Sequence, residues 1–131
     1  MRSTLIELFE EYLEHHPSNQ FVRFILADHL VEFGHLSEAE SEFCKILDGD
    51  LGHMGKAGLA RVNFISKGYD NCKTILEQLL EEGQSSINIL GLLAKSYLLL
   101  GELEEARSTY LKIISLEPFY SDHELEGFRN M

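Results

Sequence analysis

The sequence predicts an all-α fold built from stacked pairs of antiparallel helices, and three series of positions in one register carry that prediction. Ala27, Ala60 and Ala94 are spaced by 33 and then 34 residues, Ala39, Cys72 and Ala106 repeat the spacing, and Phe43, Leu76 and Tyr110 repeat it again. Each alanine of the first series follows a leucine, Leu26, Leu59 or Leu93. Small residues at fixed places in a helical pattern let two helices approach closely, and recurrence at such a period is the signature of a repeat array rather than a closed globule.

The elements follow in order. Leu5, Leu8, Phe9, Tyr12 and Leu13 recur at helical spacing, with Thr4 and Glu7 placed as a capping box at the start and Pro17 as the stop. A second helix is expected from about Asn19 to Phe33, its apolar residues spread widely enough to touch neighbours on two sides, with Gly34 ending it. Ser37 and Glu40 form another S-x-x-E box, which predicts a third helix burying Ala39, Phe43, Ile46 and Leu47, and Gly49 to Gly52 is read as a loop. The middle pair is the least regular. Gly55 and Gly58 lie within its first helix, each costing about 1 kcal/mol relative to alanine; a turn at Lys67 and Gly68 leads to a helix marked by Ile75, Leu76, Leu79 and Leu80 and ending near Gly83. Ser86 caps the next helix, which runs through Leu100; Gly101 turns the chain, and Leu103, Ala106, Tyr110, Leu111, Ile113 and Ile114 form the returning apolar face, closed by Pro118. Ser121 and Glu124 repeat the capping-box spacing ahead of Leu125 and Phe128, predicting a short helix over the open end.

Composition agrees. A chain of 131 residues with 44% hydrophobic residues is expected to form one domain with a substantial core, and two prolines favour helix. The formal charge of -11 repels phosphate backbones and anionic membrane surfaces, so nucleic acid and membrane are not expected partners. The longest apolar run, Ile87 to Leu100, is broken by Asn88, Lys95 and Ser96. Met1 to Glu14 carries glutamates in place of a basic and then apolar signal segment, so a cytoplasmic protein is expected. Cys44 and Cys72 lack a C-x-x-C arrangement and are expected to be reduced thiols on buried faces.

At this point the residues resemble the tetratricopeptide repeat, with its W-x2-L-G-x2-Y, A-x3-F and P positions over about 34 residues. The best copy is Leu90, Leu93, Ala94, Tyr97, Ala106, Tyr110 and Pro118; the first is Arg23, Leu26, Ala27, Leu30, Ala39 and Phe43; the middle, degenerate one is Lys56, Leu59, Ala60, Asn63, Cys72 and Leu76. The division this implies is an N-terminal helix at 1–17, repeats at 20–52, 53–86 and 87–120, and a capping helix at 121–131. The resemblance implies a right-handed superhelical array of helix pairs whose first helices line a concave groove. Carried over by position, that groove holds Phe21, Phe24, Asp28, Val31 and Glu32, then Met54, Ala57, Gly58, Arg61, Phe64 and Ile65, then Asn88, Gly91, Leu92, Lys95, Leu98 and Leu99. Most of these are apolar, so something should cover them, either a partner's helix or extended segment or the chain's own terminal helix. Asp28, Arg61 and Lys95 occupy equivalent positions, a row able to read an acidic ligand group; the alternative is that Asp28 and Arg61 pair with each other. The branch of the family that clamps acidic chaperone tails uses lysine, asparagine and arginine where this chain has Phe24, Asp28, Gly58, Asn88 and Leu92, so that clamp is absent.

The implied function is a non-catalytic protein-binding module, adaptor or chaperone-like scaffold. Two other readings stand beside it: a structural scaffold that self-associates into a homo-oligomer through its open ends, and an adaptor segment of a larger enzyme. No cofactor is expected. The histidines His15, His16, His29, His35, His53 and His123 show no H-E-x-x-H spacing, and phosphate-cradling or nucleophile-elbow motifs are missing.

Overall fold

A computed structural model describes residues 2–122 together with Leu125 and Gly127, so most of the predicted C-terminal capping helix at 121–131, including His123, Glu124 and Phe128, lies outside the described residues. Among the described residues there are seven helices and no strand: α1 (Thr4–His15), α2 (Gln20–Glu32), α3 (Leu36–Cys44), α4 (Gly52–Ile65), α5 (Tyr69–Glu81), α6 (Ile87–Leu99) and α7 (Leu103–Leu116). None of them is long and apolar enough to cross a membrane. The contacts divide the chain into two compact units that meet within α4, after Val62.

In the N-terminal unit α1 packs on α2 and α2 on α3. Its core gathers Ile6 and Leu13 of α1, Leu26, Ala27, Leu30 and Val31 of α2, and Ala39, Phe43 and Ile46 of the α3 region. The glycines of α4 acquire a reason here. A side chain at Gly58 would collide with the fully buried Phe43 ring, and a β-carbon at Gly55 would stand 2.9 Å from Ile46 Cγ1 and 3.0 Å from the Phe43 carbonyl oxygen. The helix tolerates poor propensity because bare backbone is what lets it lie against those two side chains.

In the C-terminal unit α6 packs on both α5 and α7. Its core is Cys72, Leu76 and Leu79 of α5, Leu90, Leu93, Ala94 and Tyr97 of α6, and Ala106, Tyr110 and Ile113 of α7. The buried Ser96 hydroxyl donates to the Leu92 carbonyl at 2.9 Å and lies 3.3 Å from Cys72 Sγ, so its polarity is met inside the packed face. Lys73 Nζ reaches Glu102 Oε1 at 2.8 Å and the Tyr97 hydroxyl donates to Glu77 Oε2 at 2.7 Å.

The nine register positions share one fate. Ala27, Ala60, Ala94, Ala39, Cys72, Ala106, Phe43, Leu76 and Tyr110 are all fully or almost fully buried. The turns share it too. Gly34, Lys67 and Gly101 stand 33 and 34 residues apart and all have positive φ, at 80°, 66° and 79°. At each, the positive-φ residue donates to a carbonyl three residues back and the next residue to one five back: Gly34 to Val31 and His35 to Leu30, Lys67 to Phe64 and Gly68 to Asn63, Gly101 to Leu98 and Glu102 to Tyr97. This is the Schellman closure of a helix C-terminus, made three times in register. In the middle copy lysine occupies the left-handed position, although Gly68 is its neighbour.

Helix starts depart from expectation in two places. Ser3, not Thr4, caps α1, accepting the Ile6 N–H at 3.1 Å. The Ser37–Glu40 box does not open α3, which starts two residues earlier than that box implies, at Leu36 with His35 as N-cap and no side-chain cap. The cause is the preceding turn: the His35 N–H already closes α2 on Leu30, so the chain re-enters a helix with no residue to spare. Asn19 and Ser86 do cap α2 and α6, accepting from the N–H groups of Val22 and Ile89 at 3.0 and 3.3 Å.

Candidate protein-binding faces

In the N-terminal unit the Asn19 cap fixes where α2 begins, and the turn of the helix then sets the fate of the expected wall residues. Phe21 stands 59% exposed. Phe24 is half-buried, its ring centroid 6.1 Å from that of Phe43, so it serves the core and the surface together. Val31 must be corrected. One turn beyond Ala27 it lies on the buried side of α2, in the core cluster with Ile6, Leu30 and Phe43, and is no wall residue. Asp28 and Arg61 take up the pairing alternative: Arg61 Nη1 donates to Asp28 Oδ1 at 3.2 Å, with both side chains partly exposed. Burial pushes the Asp28 carboxyl above the usual carboxylate range, outweighing the opposite pull of Arg61. His29 stacks on Phe9 with centroids 5.5 Å apart, which accounts for that imidazole as a packing group.

In the C-terminal unit Phe64 is half-buried with its ring edge-on to Tyr69 at 5.3 Å, while Ile65 and Leu99 are 46% and 48% exposed. Leu92 and Leu98 are half-buried. Lys95 is engaged by the chain itself: its Nζ lies 2.7 Å from Asp122 Oδ2, with side chains 25% and 14% exposed. Next to that pair a β-carbon at Gly91 would stand 2.9 Å from the Tyr120 hydroxyl, which itself donates to Asp122 Oδ2 at 3.2 Å. The stretch after α7 therefore crosses the α6 face that carries Gly91 and Lys95. Local bonds shape it, from the Tyr120 N–H to the Glu117 carbonyl and from the Leu125 N–H to that of Asp122, and Leu125 is fully buried. Burial, reinforced by Asp122, raises the Tyr120 phenol to about 12.

The row of one acid and two bases thus divides, Asp28 with Arg61 in one unit and Lys95 with Asp122 in the other. Sequence reasoning missed Tyr120 and Asp122. The available signal was Gly91, a glycine inside an otherwise apolar helix, which marks a close approach by another group. Cys44 also needs correction: it is exposed, while Cys72 is buried and its thiol is pushed up by that burial. The helix turn explains the difference, since Cys44 directly follows the buried Phe43 and so points about 100° away from it. Among the described residues no three metal-ligating side chains converge.

No family model matches the chain, and no curated protein matches its sequence. Among solved structures it is similar to the crystal structure of MamA, with a TM-score of 0.74 over 86% of this chain and 67% of that one, at 19% identity. At that identity the likeness speaks for the fold alone: the described chain is all-α, built of successive helix pairs as that structure is.

Proposed function

We propose that the chain is a non-catalytic protein-binding module, a cytoplasmic adaptor or chaperone-like scaffold that binds a helix or extended segment of a partner through apolar side chains exposed on α2 in its N-terminal unit and on α6 in its C-terminal unit. The observation that supports this most is the exposure of large apolar side chains on helices that a repeat array turns inward: Phe21 at 59%, Ile65 at 46% and Leu99 at 48%. Apolar groups held in water on a formed scaffold mark a surface awaiting a partner. The half-buried Phe64, Leu92 and Leu98 extend the same chemistry. A net charge of -11 turns the choice of partner towards protein and away from nucleic acid.

The test uses a partner captured from the source cells and titrated by calorimetry. Phe21→Asp and Leu98→Asp are expected to weaken it at least ten-fold with helix content unchanged, whereas Glu40→Lys on α3 leaves it within two-fold. Unchanged affinity in both aspartate variants would overturn the reading.

A second reading rests on α1. Leu5, Leu8 and Tyr12 fall on one side of that helix and are 43%, 55% and 41% exposed, a face suited to self-association. Light scattering that shows a concentration-dependent oligomer, dissolved by Leu8→Lys, would support it, and a monomer throughout would exclude it.

A further inference from the structure

In the C-terminal unit the segment after α7 returns to α6. The Tyr120 phenol sits where only Gly91 leaves room, and two residues on, the Asp122 carboxylate meets Lys95 at 2.7 Å. An aromatic ring and a carboxylate, two residues apart in a stretch without helix or strand, find a bare backbone and a cation four residues apart on one face of a helix.

We infer that this face of α6 is a peptide site selective for an aromatic residue followed two positions later by an acidic one, and that the chain's own Tyr120–Asp122 segment occupies it as a competing internal ligand. This rests on the protein-binding reading above and specifies both the partner's chemistry and its control. The occupant visible on the face defines what the face accepts. A tethered segment acts at a high effective concentration, on the order of millimolar, so a free peptide of the same chemistry must displace it and binds correspondingly weakly. Opening the latch raises affinity without adding any contact. The Lys95–Asp122 pair supplies selection: a lysine or arginine at the acidic position would face Lys95 with like charge.

The probe is a fluorescein-labelled peptide, EPFYSDHEL, corresponding to residues 117–125, read by anisotropy against the full chain. Tyr120→Ala/Asp122→Ala is expected to bind it about ten-fold more tightly than the unaltered chain does. Adding Lys95→Glu cancels the gain, and a peptide with lysine in place of its aspartate regains binding to that Lys95→Glu chain. Circular dichroism confirms that each variant keeps its helix content, and the charge-reversed pair reads the site even where affinity is altered by the truncations. An opened chain that binds no better than the unaltered one, or a charge-reversed peptide that does not discriminate, overturns the inference. So does an unaltered chain that is dimeric until Tyr120→Ala releases it, since the segment would then belong to a second copy. If Phe21→Asp on α2 still abolishes partner capture while the opened chain ignores the peptide, this inference fails and the protein-binding reading stands; if Phe21→Asp leaves capture intact while the opened chain takes up the peptide, the reading of the α2 face falls and this site stands.

Discussion

Gly58→Ala tests the packing that the middle repeat depends on. In an isolated helix the substitution would stabilise by about 1 kcal/mol. Here the new methyl would enter the Phe43 ring, which is fully buried with its own neighbours packed around it. Displacing that ring costs about 1–3 kcal/mol of overpacking, so the net expectation is a loss of about 1 kcal/mol. With a urea m-value of about 2 kcal/mol/M the midpoint falls by about 0.5 M, followed by circular dichroism at constant m. Phe43→Leu removes Cε1 and Cζ, the two ring atoms nearest the new methyl, and replaces the flat ring with a branch that can turn away. In that background Gly58→Ala is expected to change sign and stabilise, giving a coupling of about 2 kcal/mol between the two sites. A Gly58→Ala chain stabilised by about 1 kcal/mol in both backgrounds would refute the close approach of α4 to α3 and leave its glycines unexplained.

Lys67→Gly relieves a left-handed lysine that costs about 1–2 kcal/mol, against a glycine entropy of about 0.5–1 kcal/mol, so thermal unfolding should report a stabilisation of about 0.5–1 kcal/mol; the same change at exposed Lys112 should destabilise. In native protein one thiol, Cys44, reacts with Ellman's reagent at once, and Cys72 reacts only on unfolding; two fast thiols would contradict the burial of α5 against α6. The raised Asp28 carboxyl means the native state takes up its proton before the unfolded chain does, so this group's contribution to stability rises as pH falls through its raised value towards the ordinary carboxylate range. Asp28→Asn should therefore be neutral to stabilising at pH 7 and lose that advantage in acid; a variant destabilised at pH 7 whose deficit shrinks as the pH falls would show that the Arg61 pair dominates.

The parts of the fold legible in the sequence are those set by local periodicity and volume. Ala27, Ala60 and Ala94 could be matched because only a small residue fits where two helices cross, and all three are fully buried. Gly34 and Gly101 announced their turns through the left-handed backbone that glycine adopts freely. Lys67 was partly legible. Its neighbour Gly68 drew attention to the turn, but the register alone says which of the two takes positive φ. Capping-box spacing misled at Ser37 because it says nothing of the turn before it. The fate of wall residues was less legible, since it is decided by angles of tens of degrees on a helix: Val31 and Asp28 share a helix, three residues apart, and one is core while the other is half-exposed. Least legible was the contact of Tyr120 and Asp122 with α6, because a segment without helical period has no pattern to say where it will lie.

Site-specific photo-cross-linking in the source cells tests the functional account most directly. With a photoreactive residue placed singly at Phe21, Ile65, Leu98, Glu40 or Glu104, adducts to one and the same polypeptide are expected from the first three positions and none from the last two. Adducts that arise equally from Glu40 and Glu104, or only from those positions, would contradict it.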